Sequence, residues 1–398
     1  MARRPIGTPA VLGVTMVLVA LLACSSAPVG TAAAAPPSST PAVGTPLAQP
    51  EDLVFDPAGN LYVSEFGGHV VDRITPTGSL TIFAGTGVQG YAGDSGPAVD
   101  AELNMPSGVL VRPDGVFVLA DHRNDCIRQI DGTGTISSIV GTCTKHGDKG
   151  DGGPASIAKL DDPIGITLDA DGNLYIADEQ NAVVRKVDTN GTITRFVGGG
   201  RIPVQSAPNG TRATDLKMSH TSYVLADGRG DVYVSDFWAN VVIEVLRDGR
   251  IVRVAGTGTA GFSGDRGCAV EAELDFPTGL ALDTYGRLYV SDAFNNRVRM
   301  IDHRGIIDTV AGSGPTGPGN GSYSGDGGPA AMATLNAPAG LAFDSSDNLY
   351  IADQGNDRVR MVSQGIISLV AGMPAPAASV APRGISIPLK GAGRADHC

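Results

Sequence analysis

The sequence predicts an all-β fold, a six-bladed β-propeller with four antiparallel strands per blade, on three observations. The composition favours turns and short strands over helices: the 398 residues include 55 Gly and 26 Pro, and only 18% are charged. One phrase recurs six times along the chain. Each recurrence holds four short apolar or alternating runs divided by turn residues.

The register of the repeat can be counted. The units start at Pro50, Pro106, Pro163, His220, Pro277 and Pro338, at spacings of 56, 57, 57, 57 and 61 residues. The extra residues of the last interval lie in a Gly-rich loop before Ser324. In the fifth unit the runs are Leu280–Leu282, Leu288–Ser291, Val298–Ile301 and Ile306–Ala311. Asp-x-x-Gly connections between runs have hairpin chemistry, with Gly available for positive φ. One such unit cannot bury both of its faces, so neighbours must stack around a ring.

The phrase Asn-Leu-Tyr-Ile-Ala-Asp at 348–353, followed by Asn-x-x-Val-Arg at 356–360, resembles the NHL repeat. So does Gly-Asp-Gly-Gly-Pro-Ala at Gly150–Ala155 and Gly325–Ala330. The resemblance spans roughly residues 50–373. The fourth unit departs from it, with Glu244 read at the place where others carry Arg. The first departs with Glu65 for the Asp that ends the second strand. The resemblance implies either a non-catalytic binding module or a metal-dependent lyase or hydrolase with its site at the central channel. The latter needs several His or carboxylate ligands converging there. Of His69, His122, His146, His220, His303 and His397, only His220 reads as placed at an inner-strand start. No nucleophile motif, phosphate loop or dinucleotide fingerprint is present. A binding module for a protein, peptide or glycan is therefore the leading reading. No cofactor is expected, a divalent metal being the alternative.

The N-terminus reads as a targeting segment. Arg3 and Arg4 precede an apolar stretch, Val11 to Ala23, too short to span a bilayer. Leu21-Leu22-Ala23-Cys24 resembles the bacterial lipobox, which makes Cys24 a lipidation site; the alternative is an ordinary secretory signal. The expected organisation is a signal peptide over 1–23, a flexible Ala/Pro/Ser/Thr-rich tether over 24–48, the propeller over 49–373 and a tail over 374–398. The chain would sit outside the cytoplasm as a monomer, touching the membrane only through its lipid. A net charge of −12 argues against a nucleic-acid surface.

Without Cys24, four cysteines remain, an even number for an exported protein. Cys126 on the third strand of unit two and Cys143 at the end of the fourth fall close to opposite one another, which predicts a disulfide. Elimination pairs Cys268 with Cys398. The loop residues Asp94, Asp151, Asp265 and Asp326 and the strand-ending Asp121, Asp178, Asp236, Asp292 and Asp353 are expected to shape turns rather than bind calcium, which needs six or more oxygens.

Candidate ligand-binding residues lie on the face carrying the loops between second and third strands. Phe237 and Trp238, the sole Trp, replace polar residues in unit four, and Phe66 and Phe294 sit in equivalent loops. They form either a contact patch or packing over the next blade. His220 faces Glu51 and Asp52 across the ring in this reading, a set able to bind metal or act as acid and base.

Overall fold

The computed structural model describes residues 39–375. It contains six antiparallel sheets, each with its four main strands in chain order. The inner strands are Pro50–Phe55, Pro106–Val111, Pro163–Leu168, Thr221–Ala226, Pro277–Leu282 and Pro338–Phe343, defining blades 1 to 6. The predicted six-bladed propeller is the observed fold.

The hairpins form as the turn chemistry requires. In blade 2, Asp131 Oδ1 accepts from Thr133 N at 2.8 Å and Thr135 N at 3.0 Å, while Gly134 takes φ +83°. The apolar residues of each blade pack against those of the next, giving six interfacial cores rather than one centre. Blades 4 and 5, for example, share Val242, Leu274, Leu280 and Val290.

Each inner strand carries an irregularity at the same place. In blade 5 the pairing jumps from Pro277↔Asp292 to Leu280↔Val290, and in blade 4 from Thr221↔Asp236 to Val224↔Val234. Such bulges re-aim side chains. This register corrects two sequence alignments. Thr221, not His220, occupies the place of the inner-strand Pro. On the third strand of blade 4, Ile243 stands where blade 5 has Arg299, each paired with the corresponding second-strand valine, and Glu244 lies one residue beyond. Blade 4 lacks the Pro that marks its siblings, which is why counting from His220 slipped by one.

The bulge brings the third inner-strand residue against the next blade. At Gly279 a Cβ would meet Ala339 O at 2.1 Å, so only Gly fits. The same position is Gly108, Gly165 and Gly340 in blades 2, 3 and 6. Blades 1 and 4 carry Asp52 and Tyr223 there.

The loop aspartates have a structural role, as expected, but through a partner the sequence reading missed. Arg128, Arg185, Arg299 and Arg360 are fully buried, and each bridges a loop Asp to a strand-ending Asp. Arg299 lies 2.7 Å from Asp265 and 3.1 Å from Asp292; Arg128 lies 2.6 Å from Asp94 and 3.2 Å from Asp121. The arginine thus fastens the incoming linker to the blade's second strand. Blade 4 has no such arginine on its third strand. There Arg253, on the outer strand, holds the linker by donating to Val204 O at 3.2 Å and to Gln205 O.

Ring closure uses the N-terminal segment. In other blades the incoming linker zips onto the outer edge: Gly153–Pro154 pairs with Thr192 and Ile193. The preceding blade's end then bonds that linker, Gly141 N donating to Ala155 O at 3.0 Å. Thr40–Pro41 pairs with Ser79 and Leu80 in the same way, and Gly372 N donates to Ala42 O at 3.1 Å. Ala42 and Leu47 pack into the core between blades 6 and 1. Residues 39–48, expected as the end of a flexible tether, are therefore the missing half of a sixth linker. Their Ala, Pro and Thr are linker residues as much as tether residues. The Gly384–Leu389 segment, considered for closure from the sequence, lies outside the described residues.

The predicted Cys126–Cys143 disulfide is present, with Cα atoms 5.0 Å apart. A cross-link over this separation stabilises by roughly 3 kcal/mol in the chain-entropy account. Cys268 is also disulfide-bonded; Cys398 lies outside the described residues.

Candidate functional site at the mouth of the central channel

Six blades converge on one cavity of about 200 Å³ on the face carrying the loops between second and third strands. Every blade contributes to its lining, from Glu51 and Phe66 in blade 1 to Gln354 in blade 6.

Its floor is made by the two blades without the axial glycine. Tyr223 crosses from blade 4 and donates its hydroxyl to Glu51 O at 3.0 Å, with Glu51 Oε1 at 3.4 Å. From blade 6, Gln354 Nε2 donates to Glu51 Oε2. Asp52, beside Glu51, accepts from Val109 N at 2.9 Å. The channel is thus plugged by a tyrosine below a buried carboxyl group.

Glu51 and Asp52 are both buried. Burial, and secondarily the charge of Asp52, raises the Glu51 carboxyl to about 8 despite the Tyr223 hydrogen bond. Burial raises Asp52 to about 7. Glu179, on the cavity wall, is raised to about 7 by burial and by Asp162, with Arg123 opposing. His122, also lining the cavity, is pushed down to about 4 by burial and Arg123, so it is neutral at physiological pH. Ser222 is 1% exposed, lines the cavity, and its Oγ has no hydrogen-bond partner among the described residues.

The wall on the side of blades 4 and 5 is aromatic. Phe276 and Phe294 stack with centroids 4.1 Å apart and planes 12° from parallel. Phe237 lies 4.4 Å from Phe276. Trp238 meets Phe276 edge-on at 5.4 Å and is 59% exposed. Opposite, Phe66 lies 5.3 Å from His122.

The sequence candidates thus divide. Glu51, Phe237 and Phe294 line the cavity, and Trp238 stands on its rim against Phe276. Within the Phe237–Trp238 pair, Phe237 packs inward and Trp238 is exposed. His220 is not brought to Glu51 and Asp52. It packs against Phe237 and Trp238, at 5.4 and 6.3 Å, and Tyr223 takes the place across from Glu51. Phe276, Glu179 and Ser222 were missed. Phe276 precedes the inner strand where other blades have Gln49, Met105, Asp162 and Ala337, and that departure was a readable signal. Among the described residues, the one group of three metal-competent carboxyls is Asp125, Asp161 and Asp162, and Arg123 lies 2.6 Å from Asp162.

The fold and this mouth define a six-bladed propeller with a small, aromatic-walled central cavity. Comparison with known proteins agrees with that class. The Teneurin NHL domain family matches over residues 142–259 and 218–317. The chain is 28% identical to human Teneurin-4 over 351 residues, covering 80% of this chain and 12% of that protein. It is 29% identical to Teneurin-1 of Gallus gallus over 350 residues, covering 81% and 13%. It therefore spans about an eighth of the length of these relatives. Among solved structures it is similar in fold to an auxiliary nutrient binding protein from Bacteroides ovatus, with a TM-score of 0.56 and 14% identity over 82% of this chain and 76% of that one.

Proposed function

We propose that this propeller is a cell-surface binding module that takes a protein, peptide or glycan ligand at the mouth of its central channel. In this reading the chain is exported as a monomer and held at the outer face of the membrane by a lipidated Cys24. The observation that carries the binding role is the cavity itself, lined from all six blades and flanked by an exposed Trp238 set edge-on against an aromatic wall. Aromatic side chains at a rim supply large contact area at low entropic cost. Against a metal-dependent enzyme, His220 and the two carboxyls point to different partners, and the pocket is below the roughly 300 Å³ at which small-ligand sites begin. Such a space holds one side chain or one sugar substituent, with the rest of the ligand lying across the loops.

Peptide and glycan arrays probed with the mature chain test this reading. Binders should lose about tenfold or more in affinity with Trp238→Ala, at unchanged melting temperature. Binders indifferent to both Trp238→Ala and Phe294→Ala would place recognition elsewhere on the molecule.

A further inference from the structure

The cavity has an excess of acidic groups and a deficit of cations. Glu51 at its floor and Glu179 on its wall both line it, and Asp52 lies buried beside Glu51. The groups acting on Glu51 are Asp52 on its own strand, Tyr223 from blade 4, Glu179 from blade 3 and Gln354 from blade 6, none of them positive. The histidine on the wall is neutral. The nearest guanidinium, Arg123, already pairs with Asp162 at 2.6 Å. Above this floor stand the ring faces and edges of Phe66, Phe237, Phe276 and Phe294. Aromatic walls over carboxyl groups are the chemistry that receives an organic cation. Independently, the buried Ser222 Oγ lines the same cavity with no partner among the described residues, so its hydrogen-bonding capacity is open to a ligand. The volume holds about six or seven waters at 30 Å³ each, the scale of one side-chain head group.

We propose that the ligand presents a cationic side chain, arginine or lysine on a peptide or protein, whose head group enters this cavity to lie between the phenylalanine walls and over Glu51 and Glu179. This rests on the binding-module reading and names the ligand chemistry for it. Entry of the cation makes Glu51 give up its proton to solvent, and that proton is the only one the step releases from the Glu51 carboxyl. A guanidinium can also donate to Ser222 Oγ. Affinity therefore rises with pH and levels off above about 8, where Glu51 becomes mostly ionised in the free protein. The increase is up to tenfold per pH unit for one linked proton.

The test is calorimetry on the mature oxidised chain with matched short peptides carrying arginine or citrulline, and lysine or acetyl-lysine, on a flanking sequence drawn from an array binder. Citrulline and acetyl-lysine keep shape and remove charge. The cationic peptides should bind at least tenfold more tightly than their neutral partners. Glu51→Gln keeps the shape and one acceptor oxygen for Tyr223, and its new amide N–H can donate to the Gln354 carbonyl once that amide turns over, so it should fold normally. It should cut that preference several-fold and remove the part of the pH dependence that belongs to Glu51. Glu179→Gln, at a half-buried position, should halve the preference or more. Equal affinity for charged and neutral peptides, still lost with Trp238→Ala, would overturn the cation inference and leave the binding module standing. No binder on any array that depends on Trp238 would remove both.

Discussion

Blades 2, 3, 5 and 6 share one internal architecture, and blades 1 and 4, facing each other across the ring, share its absence. The regular four bury an arginine between two aspartates and have glycine at the axis. Blade 4 replaces the arginine with Ile243, and blade 1 replaces arginine and aspartate with Asp72 and Glu65. Both put a large side chain at the axis, and Tyr223 reaches Glu51 there. Where the repeat is kept, residues serve the ring. Where it is broken, on opposite sides, they build the floor of the cavity. Departure from a repeat is thus the local signature of a site, consistent with functional positions breaking rules that the rest of the fold obeys.

That comparison can be tested, beginning with the largest effect. Arg299→Ala in blade 5 leaves Asp292 buried without its cation and should cost about 3–5 kcal/mol in urea unfolding. Ile243→Val, at the same position in blade 4, should cost only about 0.5–1.5 kcal/mol. Similar losses would mean that the arginine clamp does not distinguish the blades. Next in size is the hydroxyl that joins the two exceptional blades. Tyr223→Phe removes the donor to Glu51 O and should cost about 1–3 kcal/mol, because a buried acceptor is left unmet. It should also loosen the cavity floor, seen as faster amide exchange in the inner strands of blades 1 and 4.

The last effect is seen only as a pH dependence and concerns Glu65 and Asp72, a buried acid pair in place of an acid–base pair. Burial raises both carboxyls above the ordinary range; their mutual contact adds to the rise at Glu65 and opposes it at Asp72. A carboxyl raised on folding contributes stability that is full below its unfolded value, near 4.5 for Glu65, and is lost as pH rises through the elevated folded range. Glu65→Gln should therefore flatten the decline in stability from about pH 5 to 9 by at least about 1.4 kcal/mol, one pKa unit's worth. A wild-type profile that matches the variant would show that no proton is held there.

The six-fold period made the ring legible because blade stacking demands near-identical strand spacing, and the disulfide followed from hairpin register. What stayed hidden depended on one-residue register and on contacts between distant blades. His220 looked like the inner-strand start only because blade 4 has no Pro, and that slip concealed Tyr223 at the axial position. Glu51 stood out as a departure, yet its partners come from 172 and 303 residues away. The arginine–aspartate clamp was in view residue by residue, in Asp326 and Arg360 for instance, but a side-chain pair 34 apart has no periodicity to reveal it. Residues 39–48 were misread for a compositional reason. Ala and Pro mark linkers and tethers alike.

Five junctions between blades are continuous chain, whereas the sixth is a clasp. Its fastening is the bond from Gly372 to Ala42, its counterpart from Gly44 to Gly372 at 3.0 Å, the pairing of Thr40–Pro41 and a shared apolar core. Such a joint can come undone without unfolding a blade, and segments held this way open at lower free energy than the whole. The Gln354–Glu51 hydrogen bond crosses that same joint at the cavity. An occupant drawn onto Glu51 would thus press on the fastening from within, so filling the cavity and keeping the ring shut are a single balance of forces.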